Sequence, residues 1–156
     1  MNRMLKVPCA LLLALVIVAG CSSSTRATTD LDPSTIPDGA FIVLLQTTET
    51  PEDYLLTVRR GLESEGFEIV NYSSAKLSLS TLFGDIGRRN SIMIIASVTY
   101  DEVANFTVGQ FSAVEESGQS EARWSQNDDA QAYAFLGLTK VVREIKHDKL
   151  NYAVRQ

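Results

Sequence analysis

Few residues in this sequence could act as an acid, a base or a nucleophile. His147 is the only histidine, and it lies among Lys146, Asp148 and Lys149 at the end of a predicted helix, where a side chain is solvated. Serine and cysteine nucleophile systems need a histidine base, so the position of His147 argues against both. A metal site with several histidines is excluded by the count. The sequence predicts no enzyme activity and no metal.

Adjacent acids are the remaining candidates for acid–base chemistry. Such neighbours are usually solvated residues of turns and helix starts, whereas glycosidase carboxylates face each other across a cleft. The Asp30-Leu31-Asp32 segment lacks the glycine and the final glutamate of a calcium-binding loop. We therefore expect structural roles for the three acid pairs, which are Asp101-Glu102, Glu115-Glu116 and Asp128-Asp129.

Two features could contact a partner or an anion. Arg88 and Arg89 follow Gly84 and Gly87 in a loop that could hold a phosphate or an anionic headgroup, although the spacing is not that of a nucleotide-binding loop. Trp124 is the only tryptophan and lies in a polar stretch. Its ring either packs under the start of the last helix or anchors an interface.

The first residues resemble the signal of a bacterial lipoprotein. Arg3 and Lys6 precede an apolar run, 7–19, that ends in Val18-Ala19-Gly20-Cys21 and is followed by serines. The run is short for a membrane span. The resemblance implies cleavage before Cys21, a diacylglycerol on its sulfur and an acyl chain on the new amino group, with no other cofactor. The alternatives are an ordinary secretory signal and an uncleaved anchor.

Composition then divides the chain into three parts. Residues 1–20 are the predicted cleaved signal, 21–39 are the lipidated cysteine and a polar tether, and 40–156 form one domain. Ser22 after the cysteine resembles the pattern of lipoproteins sorted to the outer membrane. We therefore expect a lipid-anchored protein, at the outer membrane facing the periplasm if the host is Gram-negative. The net charge of −5 argues against nucleic acid as a partner.

Hydrophobic patterning predicts the element order β-α-β-β-β-β-α. The predicted strands are 40–45, 67–72, 76–81, 91–100 and 106–114, and the first is expected to be central and buried on both faces. One helix begins with Thr50 as its N-cap and ends at Gly66, and the other begins near Ser125–Asp128 and continues to Ile145. This order predicts an α+β fold, a two-layer sandwich of a mostly antiparallel sheet with two helices on one face.

The domain is loosely similar to small outer-membrane assembly lipoproteins, such as those of the lipopolysaccharide translocon and the β-barrel insertion complex. The likeness lies in the element order and in the helix-to-strand segment 59–70. It implies a non-catalytic protein that binds an envelope protein partner. The alternative is a carrier of a hydrophobic or anionic envelope lipid, which would need a closed apolar cavity.

Overall fold

The computed structural model describes residues 31–88, 90–127 and 129–154. Its compact unit starts at Leu31, earlier than the predicted domain start at Ala40. Ile36 is buried and joins the core, and the Gly39 N–H donates to the Trp124 carbonyl at 2.9 Å. The predicted signal, the lipidation site Cys21 and the loop residue Arg89 lie outside the described residues.

The described residues form two helices and an eight-stranded sheet after a short 3₁₀ turn, Pro33–Thr35. In chain order the elements are β1 (Ala40–Thr47), α1 (Pro51–Ser64), β2 (Ile69–Ser73), β3 (Ser78–Thr81), β4 (Gly84–Asp85), β5 (Ser91–Asp101), β6 (Phe106–Glu115), β7 (Ser120–Glu121), α2 (Ala130–Val142) and β8 (Lys149–Val154).

The sheet is antiparallel, with the strand order β2-β3-β5-β6-β1-β8. The short β4 pairs with β5, and the short β7 pairs with β6. Both helices contact β5 and β6, and the side chains of those strands are buried at every second position. The helices therefore cover one face of the sheet, and the predicted α+β sandwich is confirmed.

β1 is an interior strand, paired with β6 on one side and with the edge strand β8 on the other, so it lies one strand from the edge and not at the centre as predicted. The prediction that both of its faces are buried was wrong. Val43 and Leu45 are fully buried on the helix side, whereas Ile42 and Leu44 on the other face are half-buried. A continuous apolar run does not distinguish a strand with two covered faces from one whose second face is partly open.

α1 forms as its sequence predicts. The Thr50 hydroxyl accepts a hydrogen bond from the Asp53 N–H at 3.3 Å, and Pro51 occupies the first helical position, where no N–H is needed. Leu62 lies on the buried stripe. Gly66 has a φ of +87° just beyond the helix, which fits a glycine at this position.

The C-terminal part of the chain differs from the prediction. α2 ends at Val142, and β8 follows it and pairs antiparallel with β1, so that Tyr152 lies opposite Val43. The predicted start of α2 was also wrong. Asp129 is the N-cap, and its carboxylate accepts a hydrogen bond from the Ala132 N–H at 2.8 Å. β8 is short and mixed in polarity, and its pairing with a distant strand leaves no local signal.

Candidate binding site beside the second helix

The histidine and two of the acids that could do chemistry each make local contacts with the backbone. The His147 ring is 2.6 Å from the carbonyl of Ile145, at the end of the connection from α2. The Asp101 carboxylate accepts hydrogen bonds from two backbone N–H groups in the β5–β6 turn. Asp129 caps α2, and Asp128 lies outside the described residues. Across residues 31–88, 90–127 and 129–154, no three His, Cys, Asp or Glu residues form a group that could hold a metal ion.

Glu115 is a buried carboxylate with a structural role. Its side chain is 2% exposed and accepts hydrogen bonds from the N–H groups of Ser117 and Gly118 at 2.9 and 2.8 Å. Hydrogen bonding, chiefly from Ser117, outweighs burial and lowers the pKa of Glu115 below its ordinary value. The interaction fixes the turn between β6 and β7.

Within residues 31–88, 90–127 and 129–154, neither helix is long and apolar enough to span a bilayer.

A surface recess beside α2, the Trp124 pocket, has a volume of about 460 Å³. The backbone of Trp124 is fixed by two hydrogen bonds, because its backbone N–H donates to the Ala40 carbonyl at 2.7 Å and its carbonyl accepts from the Gly39 N–H. The half-buried indole also packs against the core. None of the described residues that line the recess is charged. They are Pro33, Ser34, Ile36, Trp124, Ser125, Gln126, Asn127, Ala132, Tyr133 and Leu136.

A second recess, the Arg88 pocket, adjoins the first and has a volume of about 250 Å³. The Arg88 guanidinium lies 5.0 Å from the centre of the Tyr133 ring, within the range of a cation–π contact. Its described lining includes two charged residues, Arg88 and Lys140, and both are positive. The full lining is Ile86, Gly87, Arg88, Asn90, Tyr133, Leu136, Gly137 and Lys140.

The loop that carries Arg88 is fixed by its own hydrogen bonds and by contact with α2. The Asp85 carboxylate accepts from the Gly87 N–H at 2.7 Å, and the backbones of Ile86 and Asn90 are joined at 3.0 Å. Ile86 packs against Gly137, where an added Cβ would lie 3.1 Å from the Ile86 Cβ and closer still to the end of that side chain. Glycine at this position therefore allows the loop to approach the helix.

The two pockets share Tyr133 and Leu136 as a common wall. The fold thus brings Arg88 and Trp124, which the sequence suggested separately, to the same flank of α2. Sequence reasoning missed the shared wall and Gly137, and it did not bring Lys140 together with Arg88. The available signal was the helical spacing of Tyr133, Leu136 and Lys140, which lie on one flank of α2 outside its main apolar stripe.

A third recess of about 500 Å³ lies at the opposite end of β1 and is lined in part by Glu49, Glu52 and Tyr100. Glu49 accepts hydrogen bonds from Lys146 at 2.7 Å and from Thr57 at 2.8 Å, and the contact with Lys146 lowers the pKa of Glu49. These bonds link the start of α1 to the chain beyond α2. We assign this cluster a structural role.

Comparison of the chain with protein-family models and with curated proteins found no match.

Proposed function

We propose that this protein is a lipid-anchored envelope protein of bacteria and a non-catalytic module that binds a protein partner through the Trp124 pocket. The segment Val18-Ala19-Gly20-Cys21 after an apolar run supports the anchor. Two or more acyl chains give stable attachment, since one chain alone binds a membrane weakly.

One observation carries the binding role: a recess with no charged residue in its described lining opens on the surface of a domain whose core holds large, fully buried side chains. Tyr54, Phe111 and Phe135 are fully buried between the helices and the sheet, where a lipid carrier would need a closed apolar cavity. The Trp124 pocket lies outside that core and is within the size range of ligand-binding pockets. This favours a partner-binding module over a lipid carrier.

The lining of the recess suits a protein partner. Tryptophan and tyrosine are enriched among the residues that dominate binding energies at interfaces, especially where the surrounding surface excludes water. Trp124 and Tyr133 both line the recess and are half-buried, so they are already held in place. Binding therefore orders few additional side chains, which reduces its entropic cost.

An anchor at Cys21 would also keep this site near the membrane. Pro33 lies in the wall of the recess, and the segment from Cys21 to Pro33 spans at most about 40 Å even when fully extended. A partner embedded in the same membrane would be within reach.

The test is site-specific photo-crosslinking in cells. The crosslinking amino acid p-benzoylphenylalanine is introduced at Gln126 in the pocket, or as a control at exposed Thr99 on the sheet face away from the helices. We expect one envelope protein to be captured from the Gln126 position, and capture to fall when Cys21→Ser removes the anchor or when Trp124→Ala alters the pocket.

Other outcomes would contradict the proposal. Equal capture from Gln126 and Thr99 would show that the pocket is not the binding site. Stoichiometric lipid without a protein at Gln126 would favour the carrier function. Recovery of unlipidated wild-type protein in the soluble fraction would contradict the proposed lipid anchor at Cys21.

A further inference from the structure

The charges around the two pockets are unlike those of the chain as a whole. The chain has 19 acidic and 14 basic residues, yet the charged residues among the described lining of both pockets are Arg88 and Lys140. Both lie in the Arg88 pocket, and the described lining of the Trp124 pocket beside it has no charged residue. The flank of α2 therefore has one end whose described lining is neutral, with Trp124 and Ile36 among it, and one end that is cationic.

We propose that the two pockets together bind an extended peptide segment of a partner protein, in which an apolar side chain enters the Trp124 pocket and a carboxylate enters the Arg88 pocket. This inference rests on the proposed function and specifies the chemistry of the partner.

The length of the flank that the two pockets share follows from the geometry of α2. Tyr133 and Lys140 are separated by seven residues on α2, or about 10 Å at the rise of an α-helix. An extended peptide advances about 3.3 Å per residue. A tetrapeptide with an apolar first residue and an acidic last residue therefore covers the length of this flank.

The cationic end is arranged to bind a carboxylate. The Arg88 guanidinium lies over the Tyr133 ring, 5.0 Å from its centre. A guanidinium has its N–H donors at its edge, where a carboxylate can accept two of them. Within the described chain, no carboxylate forms an ion pair with Arg88 or with Lys140. Both cations are exposed and lie on the rim of the recess.

The shape favours a peptide over a membrane surface. Trp124 is half-buried in a recess, whereas a tryptophan that inserts into a bilayer must protrude from the protein. A recess accepts a side chain that projects from a partner, and a flat bilayer surface offers none. The acidic balance of the whole chain also opposes broad attraction to an anionic membrane.

The intrinsic fluorescence of Trp124 provides the test, because the chain has one tryptophan. Full-length protein in detergent is titrated to millimolar concentration with the acetylated and amidated tetrapeptide Leu-Ser-Ser-Glu. We expect a saturable change in emission. A peptide that ends in glutamine should bind about fivefold more weakly, the upper limit for one exposed ion pair, and a peptide that begins with serine should not saturate.

Substitution of each cation tests whether the preference for the glutamate peptide depends on Arg88 and Lys140. Arg88→Gln should weaken binding of the glutamate peptide about fivefold and should reduce the difference between the glutamate and glutamine peptides, as expected for two groups in direct contact. Lys140→Gln should act in the same direction. The matched control, Arg60→Gln, removes an exposed charge from α1 outside both pockets and should change nothing.

The outcomes separate this inference from the proposed function. An absent response to the glutamate peptide, or equal affinity for the glutamate and glutamine peptides, overturns the inference. Capture of an envelope protein from Gln126 would leave the proposed function in place in that case. A Trp124 response to phosphatidylglycerol vesicles that Arg88→Gln abolishes, without a response to peptide, would assign the site to the membrane instead.

Discussion

Substitution of Gly137 by alanine tests the contact that places Arg88 beside α2. Alanine is favoured over glycine inside a helix by about 1 kcal/mol. The added Cβ would lie 3.1 Å from the Ile86 Cβ and 3.2 Å from its Cγ1, and overpacking of this kind costs about 1–3 kcal/mol. The overpacking cost is the larger of the two, so Gly137→Ala should lower the free energy of unfolding by about 1 kcal/mol.

The effect of Gly137→Ala on the free energy of unfolding should change sign when its neighbour Ile86 is made smaller. Ile86→Ala removes the Cγ1 and Cδ1 atoms that the new Cβ would meet and leaves one close contact, with the Cβ at position 86 at 3.1 Å. A small shift of the loop relieves that contact, so the helical preference of alanine should then dominate. In that background Gly137→Ala should raise the free energy of unfolding by about 0.5–1 kcal/mol. The four proteins of this double-mutant cycle are compared by urea denaturation, which gives both the free energies and the slopes.

The same substitution should affect the binding site. If the 84–90 loop moves away from the helix to relieve the contact, the Arg88 guanidinium moves from Tyr133, and the protein should bind the glutamate peptide more weakly. Stabilisation by Gly137→Ala to the same extent in both backgrounds would refute the reasoning, because it would mean that Ile86 does not limit the space at Gly137.

Three further substitutions test the described interactions. Tyr54→Phe should raise the free energy of unfolding by about 1 kcal/mol, because the buried Tyr54 hydroxyl has no hydrogen-bond partner among the described residues. Burial raises the pKa of Tyr54, so the free energy of unfolding of the wild type should fall as the pH rises above the ordinary tyrosine value of 10.0. Alkaline denaturation of Tyr54→Phe should lack this part of the loss. Asp129→Ala should cost about 1 kcal/mol in thermal or urea denaturation by removing the N-cap of α2, whereas Asp129→Asn should be nearly neutral; equal losses would contradict the capping role. Hydrogen bonding lowers the pKa of Glu115, so the contribution of the Glu115 carboxylate to stability is present above the ordinary value of 4.5 and is lost as the pH falls through the lowered pKa. Acid denaturation of Glu115→Gln should lack that part of the pH dependence. Identical pH profiles of the two proteins would contradict this role of Glu115.

The parts of the fold that the sequence predicts are those with local signals. Thr50 and Pro51 specify the start of α1 through their own side chains, and the turn after Asp101 separates two long strands whose pattern repeats every second residue. β8 carries no such signal, because its six residues are held mainly by antiparallel pairing with β1, about a hundred residues earlier in the chain. The contact between Ile86 and Gly137 also joins distant parts of the chain, and for that reason the sequence did not predict it.

The candidate site was predictable only in part for the same reason. Arg88 and Trp124 stand out by residue type, but their proximity depends on Tyr133 and Leu136, which become a shared wall only after the helix docks on the sheet. Cys21 and Arg89 lie outside the described residues, so the lipid anchor and the second arginine of the loop stay predictions.

An acidic protein can recognise an acidic segment only if recognition is local. At physiological ionic strength the screening length is about 8 Å, so acids on distant parts of the surface act weakly on a ligand in the Arg88 pocket. Arg88 and Lys140 line that pocket and would contact the ligand directly. Salt therefore screens their attraction for its carboxylate less than it screens the repulsion from the protein's distant acids. Discrimination should then depend on where the partner places its carboxylate relative to an apolar side chain, and a segment with more acids but without that spacing should bind no better.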